Sequence, residues 1–373
     1  MSDNALLNLA RSRRVICADG GFATHLEDAL GVSNLGDSPV WSASVLSDSP
    51  HLIRQTHLDF LEAGTEIIGT ATYQACHAGF LACGIEASKA TELMRLAIDL
   101  ADQARSSFLA SNAQGDKAQV SKPLIALSLG PYGAYLRGGA EYTGDYLGVT
   151  QEDLVQFHYD RLRVFADAPD TWQKIDILAF ETVPRLDEAE AILTALDRLA
   201  AERIEFKPAY ASFVFPSGTS LPRGGEGVDV KKEGGLKSLV DLLGRKGGWG
   251  LSGLGINCTK AKFLPGLVSE LTARLSERMA SSEPFEAVLF LEPDGGLVYD
   301  GIARTWSSPD GGDSGDDSPA SSVERWQRGL IQTLDQAQAA AGPGWSGVVL
   351  GGCCKATTSH ISALRRAIDS LGI

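Results

Sequence analysis

Three cysteines stand where they could hold a metal ion. Cys258 follows one short apolar run of the sequence, and the adjacent pair Cys353 and Cys354 follows another. Zn²⁺ favours tetrahedral sulfur ligation, and a site with three protein ligands keeps a fourth position for substrate. A lone buried cysteine is more often a small core residue, so Cys258 alone is weak evidence. The three together favour a metal site.

The adjacent pair sets a backbone requirement. Neighbouring residues of a strand point to opposite faces, so Cys353 and Cys354 can reach one metal only if the chain leaves strand geometry there. Gly351 and Gly352 precede the pair, and we expect them to supply the necessary backbone freedom. A disulfide between adjacent cysteines is strained, so we do not expect one.

Two carboxylates, like the three cysteines, directly follow apolar runs of the sequence. Asp19 follows the first apolar run, and Glu181 follows the fourth. Two acids across one site can hold an ammonium group by charge-assisted hydrogen bonds. They could also serve as acid and base in the hydrolysis of a sugar. The spacing leaves open a third reading, with Asp19 as a turn residue before two glycines and Glu181 at a helix entry.

The elements that would position these residues repeat along the chain. Apolar runs without clean alternation are typical of strands buried on both faces. Eight are present, at residues 14–18, 66–72, 124–129, 175–180, 207–214, 253–257, 287–291 and 347–350. Segments of helical character lie between them, at residues 51–63, 87–110, 151–166, 186–200, 260–279, 323–341 and 359–371.

This alternation predicts a fold and a place for the site. Strands that alternate with helices form a parallel sheet, and eight such units indicate an α/β fold, the (β/α)8 TIM barrel. Active sites of such barrels lie at the carboxyl ends of the strands, where the three thiols and two acids would meet. A barrel needs about 250 residues, so roughly a third of the chain is loop insertion. We expect a single domain over residues 1–373, with a disordered acidic insertion at about residues 307–322.

Composition excludes several classes of function. The net charge is −14 and no Lys/Arg-rich run is present, which argues against nucleic acid and anionic membranes as partners. No stretch approaches the roughly 18 apolar residues of a membrane span. Six cysteines in 373 residues are too sparse for a disulfide scaffold, so a reducing cytoplasm is expected. The oligomeric state stays open.

Several motifs resemble one enzyme family, the zinc-dependent homocysteine S-methyltransferases, which have a (β/α)8 barrel. The similar segments are DGGFATHLE at 19–27, TATYQA at 70–75, GPYGAYLRGGAEYTGDY at 130–146, FETVP at 180–184, GINC at 255–258, EPDGGLVYD at 292–300 and GGCC at 351–354. The block at residues 130–146 resembles the sequences of the family branch that uses S-methylmethionine or S-adenosylmethionine.

The resemblance implies a reaction and roles for individual residues. Cys258, Cys353 and Cys354 match the zinc ligands that activate the substrate thiol. Asp19 and Glu181 match positions that hold the amino group of L-homocysteine, and the backbone around Gly20 and Thr70 matches the region that binds its carboxylate. The reaction would move a methyl group from the sulfonium donor to the thiol, forming methionine.

Other functions remain to be distinguished. A zinc-binding barrel that stores or senses metal would bind zinc without turnover. A selenocysteine or selenohomocysteine methyltransferase would use the same residues on a selenol. A carboxylate-based glycosidase would keep its activity after the metal is removed by a chelator. The sequence does not distinguish between the two sulfonium donors.

Overall fold

Eight short parallel strands are present in the described residues, and each coincides with a predicted apolar run. The computed structural model describes residues 4–113, 121–222, 235–245, 249–282, 285–300, 305–307, 319–338 and 344–372. The barrel strands are β1 (Val15–Cys17), β2 (Ile67–Gly69), β3 (Leu124–Leu129), β4 (Ile177–Val183), β5 (Ala209–Phe213), β6 (Gly253–Asn257), β7 (Val288–Glu292) and β8 (Gly347–Leu350). Their burial on both faces explains why polar residues do not alternate along them.

The strands close into the predicted barrel. Strand β1 pairs with β8, and the sheet then runs in reverse chain order from β8 to β2. The last seam, between β1 and β2, is closed by a parallel bridge between Ala18 and Ile67. Across it the Glu66 amide donates to the Cys17 carbonyl at 2.7 Å. The carboxyl ends of all eight strands therefore surround one opening, which we call the mouth.

A helix follows each strand. These helices are α1 (Pro50–Glu62), α2 (Ala87–Ala113), α3 (Gln151–Ala166), α4 (Leu186–Ala201), α5 (Leu236–Val240), α6 (Leu264–Ser281), α7 (Pro319–Gln338) and α8 (Thr358–Ser370). Shorter helical turns span Ala5–Ser12, Phe22–Asp28, Leu35–Asp37, Trp41–Ser44, Val45–Asp48, His77–Ala82, Tyr132–Leu136, Ala140–Thr143, Pro169–Trp172 and Ala261–Phe263. The sequence did not predict α5. None of the described helices has the length and apolar character needed to cross a bilayer.

The predicted acidic insertion is partly ordered at its ends. Val298–Asp300 and Thr305–Ser307 pair as two antiparallel strands. Helix α7 begins at Pro319, so residues 319–322 are helical instead of belonging to a loop. Residues 308–318 lie outside the described part of the chain, and their disorder stays a prediction, as does the single domain over residues 1–373.

Apolar side chains fill the barrel below the mouth. Tyr210 of β5 and Phe290 of β7 stack with their ring centroids 3.7 Å apart. Gly253 and Gly255 of β6 leave room for them, since a Cβ on either would lie within 2.9 Å of Phe290. Helix Ala5–Ser12 closes the opposite end of the barrel, because its Leu6 and Ala10 belong to the same buried cluster. Among the described residues, the interior is therefore a packed core with its opening at the mouth.

One buried arginine fixes the loops around the mouth. Arg161 of α3 is 3% exposed and donates to four backbone carbonyls, those of Gly130 at 2.7 Å, Tyr73 at 2.9 Å, Ala75 at 3.1 Å and Thr72 at 3.3 Å. Burial lowers the pKa of its guanidinium to about 10. A guanidinium has five donors in a rigid fork, which suits this arrangement. Arg161 thereby holds the loop after β2 against the end of β3.

Replacing this arginine should destabilise the protein strongly. Arg161→Leu leaves buried carbonyls without donors, each costing about 1–3 kcal/mol, so we expect a loss of about 3 kcal/mol or more in the free energy of unfolding. Arg163→Leu on the same helix is the control, since the Arg163 ion pairs lie near the surface and are worth about 1 kcal/mol or less. Urea denaturation measures both. Similar losses for the two variants would contradict the role of Arg161.

Candidate metal and substrate site

The three predicted cysteines lie together at the mouth. Cys258 follows β6, and Cys353 and Cys354 follow β8, with all three sulfurs within 4.8 Å of one another. Strand β8 ends at Leu350, so the adjacent pair lies in a turn and both sulfurs reach the same point. Cys258 itself has a positive φ of 46°. The backbone thus leaves strand geometry at both segments, which brings the three sulfurs together.

The glycines before the pair act differently from the prediction. Gly351 and Gly352 are not among the residues with positive φ, so conformational freedom is not what they supply. They allow close contact with the end of β1: a Cβ on Gly351 would lie 2.9 Å from the Asp19 carbonyl oxygen. The Gly352 amide donates to that same oxygen at 2.9 Å. The glycines therefore join the end of β8 to the end of β1.

The donor set fits a thiophilic metal ion. Cys258 and Cys353 form a disulfide in this structure, so metal ligation requires the reduced form of both. Burial, with smaller contributions from the charges of Asp294 and Glu141, raises the pKa of the Cys354 thiol to about 12. That thiol is neutral unless a cation compensates its charge. Three clustered sulfurs with partial exposure suit a tetrahedral ion that keeps one position open.

The two predicted acids lie in the same mouth. One Asp19 oxygen accepts the Gly69 amide at 2.8 Å, and a Glu181 oxygen accepts the Ser128 hydroxyl at 2.8 Å. Burial and, to a smaller extent, the Glu181 charge raise the pKa of Asp19 to about 8, although the Gly69 hydrogen bond acts to lower it. Burial likewise raises the pKa of Glu181 to about 7. Among the described residues, no basic side chain contributes to either shift. An incoming cation would therefore stabilise both carboxylates.

A third acid in the mouth was not predicted. Burial, and then the charges of Glu181 and Asp19, raise the pKa of Glu292 well above its usual value. Glu292 ends β7 on the same face as Phe290, two residues earlier in the strand. The sequence placed Glu292 at a strand end, but spacing did not indicate which strand-end acids face inward. A cation bound among these three acids would favour the charged form of each.

The sequence also did not predict a role for Asn257, which links an acid of the mouth to a thiol. Its Oδ1 accepts the Thr182 amide at 2.8 Å, and its Nδ2 donates to the Thr182 hydroxyl at 2.7 Å. Thr182 follows Glu181, and Asn257 precedes Cys258. This pair of hydrogen bonds joins the ends of β4 and β6 and sets Glu181 relative to Cys258. The only signal in the sequence is a polar residue at the end of an otherwise apolar predicted strand.

Gly20 and Thr70, predicted near the substrate carboxylate, lie at the ends of β1 and β2. A Cβ on Gly20 would lie 2.2 Å from the Ala356 carbonyl oxygen, so no side chain fits there. The Thr70 amide donates to the Ala126 carbonyl at 3.0 Å, and its hydroxyl lies 2.7 Å from the Thr72 hydroxyl. Both polar groups of Thr70 thus have partners within the protein, and the roles of both residues in binding stay predictions.

The raised pKa of Asp19 predicts how stability depends on pH. Its ordinary pKa is 3.8 and its folded pKa is about 8. Folding therefore keeps a proton that the unfolded chain releases, and the stability this confers is lost as pH rises between those values. Relative to wild type, Asp19→Asn should gain up to about 1.4 kcal/mol of unfolding free energy per pH unit over this range.

Denaturation of metal-free protein at pH 5, 6, 7 and 8 tests this expectation. Asp160→Asn, an exposed site on α3, is the control for replacing an acid by its amide. A difference between Asp19→Asn and wild type that does not grow with pH would contradict the buried, neutral state of Asp19.

Comparisons with known proteins agree with this geometry. Residues 16–368 match the family model of homocysteine S-methyltransferases. Homocysteine S-methyltransferase 1 of Zea mays is 32% identical over 361 residues, 96% of each chain. The selenocysteine Se-methyltransferase of Brassica oleracea var. italica is 33% identical, over 94% of this chain and 88% of its own.

The solved structures give the same assignment. The homocysteine methyltransferase MmuM of Escherichia coli superposes in an oxidised form with a TM-score of 0.71 at 29% identity. Its metallated form superposes with a TM-score of 0.68 at 31% identity, and both comparisons cover 98% of this chain and 100% of the other. The chain therefore belongs to the homocysteine S-methyltransferase family of enzymes.

Proposed function

We propose that the protein transfers a methyl group from a sulfonium donor, S-methylmethionine or S-adenosylmethionine, to the thiol of L-homocysteine, and so forms methionine. The observation that carries this proposal is the convergence of three thiols with three half-buried acids in one barrel mouth. The thiols suit the sulfur end of such a substrate, and the acids suit its ammonium end. Family membership and the metallated form of MmuM support the same reaction.

Cys258, Cys353 and Cys354 would hold Zn²⁺ in their reduced state. The bound ion would supply the positive charge that keeps the substrate thiol ionised at neutral pH, where a free thiol is only a few per cent ionised. Thiolate ligands need a reducing compartment, so we also propose a cytoplasmic location.

The acids would orient the acceptor. Asp19 accepts the Gly69 amide and Glu181 accepts the Ser128 hydroxyl. A carboxylate can accept about four hydrogen bonds, so both acids keep capacity for a substrate ammonium. Binding the ammonium would keep both carboxylates charged, because an opposite charge offsets the burial that raises the pKa of each. With its ammonium fixed, the substrate sulfur is directed toward the cysteines, which is the positioning that lowers the barrier of a two-substrate reaction.

The chemical step needs no general acid. The substrate sulfur forms a bond to the donor methyl carbon while the bond from that carbon to the sulfonium sulfur breaks. The electron pair of the broken bond stays on the leaving sulfur, which becomes a neutral thioether. The proton of the acceptor thiol is released on binding and leaves to solvent. The chain has only to align the two sulfurs and exclude water.

Loss of one cysteine should remove both metal and activity. Cys353→Ser is expected to bind less than a tenth of the zinc held by reduced wild type, and to form no measurable methionine from S-methylmethionine or S-adenosylmethionine, assayed separately. Metal analysis and product detection measure the two effects. Cys83→Ser replaces an exposed cysteine outside the mouth and should change neither. A zinc-free, fully active Cys353→Ser protein would exclude this function. Zinc binding by wild type without turnover would favour a metal-storage or regulatory barrel.

Glu181→Gln should weaken acceptor binding specifically. A hydrogen bond to a charged group is worth about 1.5–3 kcal/mol, so we expect the homocysteine KM to rise by about 10-fold to 100-fold. The analogue 4-mercaptobutyrate has the thiol and carboxylate without the ammonium group. The variant should use it as poorly as wild type does. An equal loss for both thiols would mean that Glu181 acts on the fold instead of on the ammonium.

A selenol acceptor is a second candidate, favoured by the similarity to a selenocysteine Se-methyltransferase. Selenocysteine is one carbon shorter than homocysteine, so its ammonium and selenium could not occupy both ends of the site in the same way. Competition between L-homocysteine and L-selenocysteine at equal concentrations distinguishes the acceptors by the methylated product.

A further inference from the structure

Thr182 of β4 has a backbone conformation that is unfavourable for its residue type. Its φ is 60°, in the left-handed region, where a residue with a branched Cβ is a rare exception. Thr182 directly follows Glu181. The pairing of β4 with β5 also shifts in register at this point, between Phe180 and Val183. The chain is therefore strained beside the acid that would hold the substrate ammonium.

The side chain of Asn257 holds Thr182 in this conformation. Its Oδ1 accepts the Thr182 amide at 2.8 Å, and its Nδ2 donates to the Thr182 hydroxyl at 2.7 Å. Both residues are almost fully buried, with exposures of 3% for Asn257 and 1% for Thr182. A strained backbone persists only where the surrounding contacts over-determine it. These two hydrogen bonds, which we call the clasp, provide such contacts.

Asn257 is itself fixed on the side of the cysteines. It is the last residue of β6 and lies in register with Glu292 of β7. Its carbonyl accepts the Thr259 hydroxyl at 3.0 Å, and the amide of the next residue, Cys258, donates to the Glu292 carbonyl at 3.1 Å. The backbone of Asn257 is thus tied to the turn that carries Cys258. Through the clasp, the position of Glu181 is tied to the same turn.

The clasp has a consequence for the choice of acceptor. An amino acid thiol has to place its ammonium group at Glu181 and its sulfur at the cysteines at the same time. If the separation of these two ends is rigid, a thiol with a shorter chain can satisfy one end or the other, but not both. A site that leaves a polar or charged group unpaired with the wrong molecule discriminates strongly against that molecule. Rigid positioning of Glu181 therefore selects for chain length.

We propose that Asn257 is a positioning residue that sets the separation of Glu181 from the cysteines, and that it thereby selects an acceptor with two methylene groups between its α-carbon and its sulfur. Asn257 acts through Thr182 and Glu181. Without the clasp, Thr182 relaxes to an ordinary backbone conformation and the Glu181 carboxylate turns away from the substrate. This inference rests on the proposed function and adds to it the selection of acceptor length.

Binding without turnover provides the test. L-homocysteine and L-cysteine, which is one carbon shorter, are titrated calorimetrically into reduced, zinc-loaded protein without a methyl donor. Wild type should bind L-homocysteine about 10-fold or more tightly than L-cysteine, and Asn257→Ala should reduce this preference to about threefold or less. Asn112→Ala, which removes a hydrogen bond to the Phe108 carbonyl within α2, is the matched control and should keep the preference. A full preference in Asn257→Ala, or none in wild type, would overturn the proposal.

Two variants of Thr182 isolate the backbone conformation. Thr182→Gly and Thr182→Ala both remove the hydroxyl, but only glycine adopts the left-handed backbone without cost. Thr182→Gly should keep the preference for L-homocysteine within about twofold of wild type, whereas Thr182→Ala should lower it toward that of Asn257→Ala. Equal preferences in the two Thr182 variants would overturn the proposal. Thermal melting and zinc analysis check that each variant is folded and loaded with metal.

A double variant separates positioning from a general effect on the fold. Because Asn257 acts through Glu181, the variant with both Asn257→Ala and Glu181→Gln should bind L-homocysteine no more weakly than the weaker of the two single variants. Additive losses of affinity would mean that Asn257 acts elsewhere in the protein, and they would overturn the proposal. The expected binding preference without any methionine formation would exclude the proposed function and leave this inference standing.

Discussion

The site depends on a backbone contact between the first and last strands of the barrel. The Gly352 amide donates to the Asp19 carbonyl, and the Gly21 amide donates to the Ala356 carbonyl, both at 2.9 Å. The contact is possible only without side chains, since a Cβ on Gly21 would lie 2.7 Å from the Cys353 carbonyl oxygen. Chain segments more than 330 positions apart in sequence are thereby locked together. An acid from one end of the chain and two thiols from the other become parts of one site.

The sequence indicates the strands, and therefore the strand ends, because burial on both faces is a local property of composition. That is why Asp19, Glu181 and the three cysteines could be selected in advance. Inward orientation and long-range hydrogen bonds are not local properties. The sequence therefore did not predict that Glu292 faces inward, that Arg161 contacts carbonyls of two other loops, or that Asn257 joins two strand ends. The role of Gly351 and Gly352 was mistaken for the same reason, since close contact depends on a segment that the local pattern does not include.

The distribution of charge separates stability from function. The buried arginines make contacts within the scaffold: Arg105 pairs with Asp176 and Asp102, and Arg161 binds loop carbonyls. The acids of the mouth have no such counterions among the described residues, and their raised pKa values reflect this. A bound cation would supply the positive charge that these acids lack. Such strain at a binding site is tolerated because the surrounding core and the Arg161 contacts over-determine the geometry.

The helix Ala5–Ser12 determines from which end small molecules can enter the barrel. It seals one end of the barrel with Leu6 and Ala10, and a Cβ on Gly347 would already touch Ala10 at 2.8 Å. In the described part of the chain, the barrel is therefore closed at this end and open at the mouth. Any small molecule that reaches the strand-end residues must enter and leave through the mouth. A molecule bound deeper in the barrel cannot leave until one bound above it has gone.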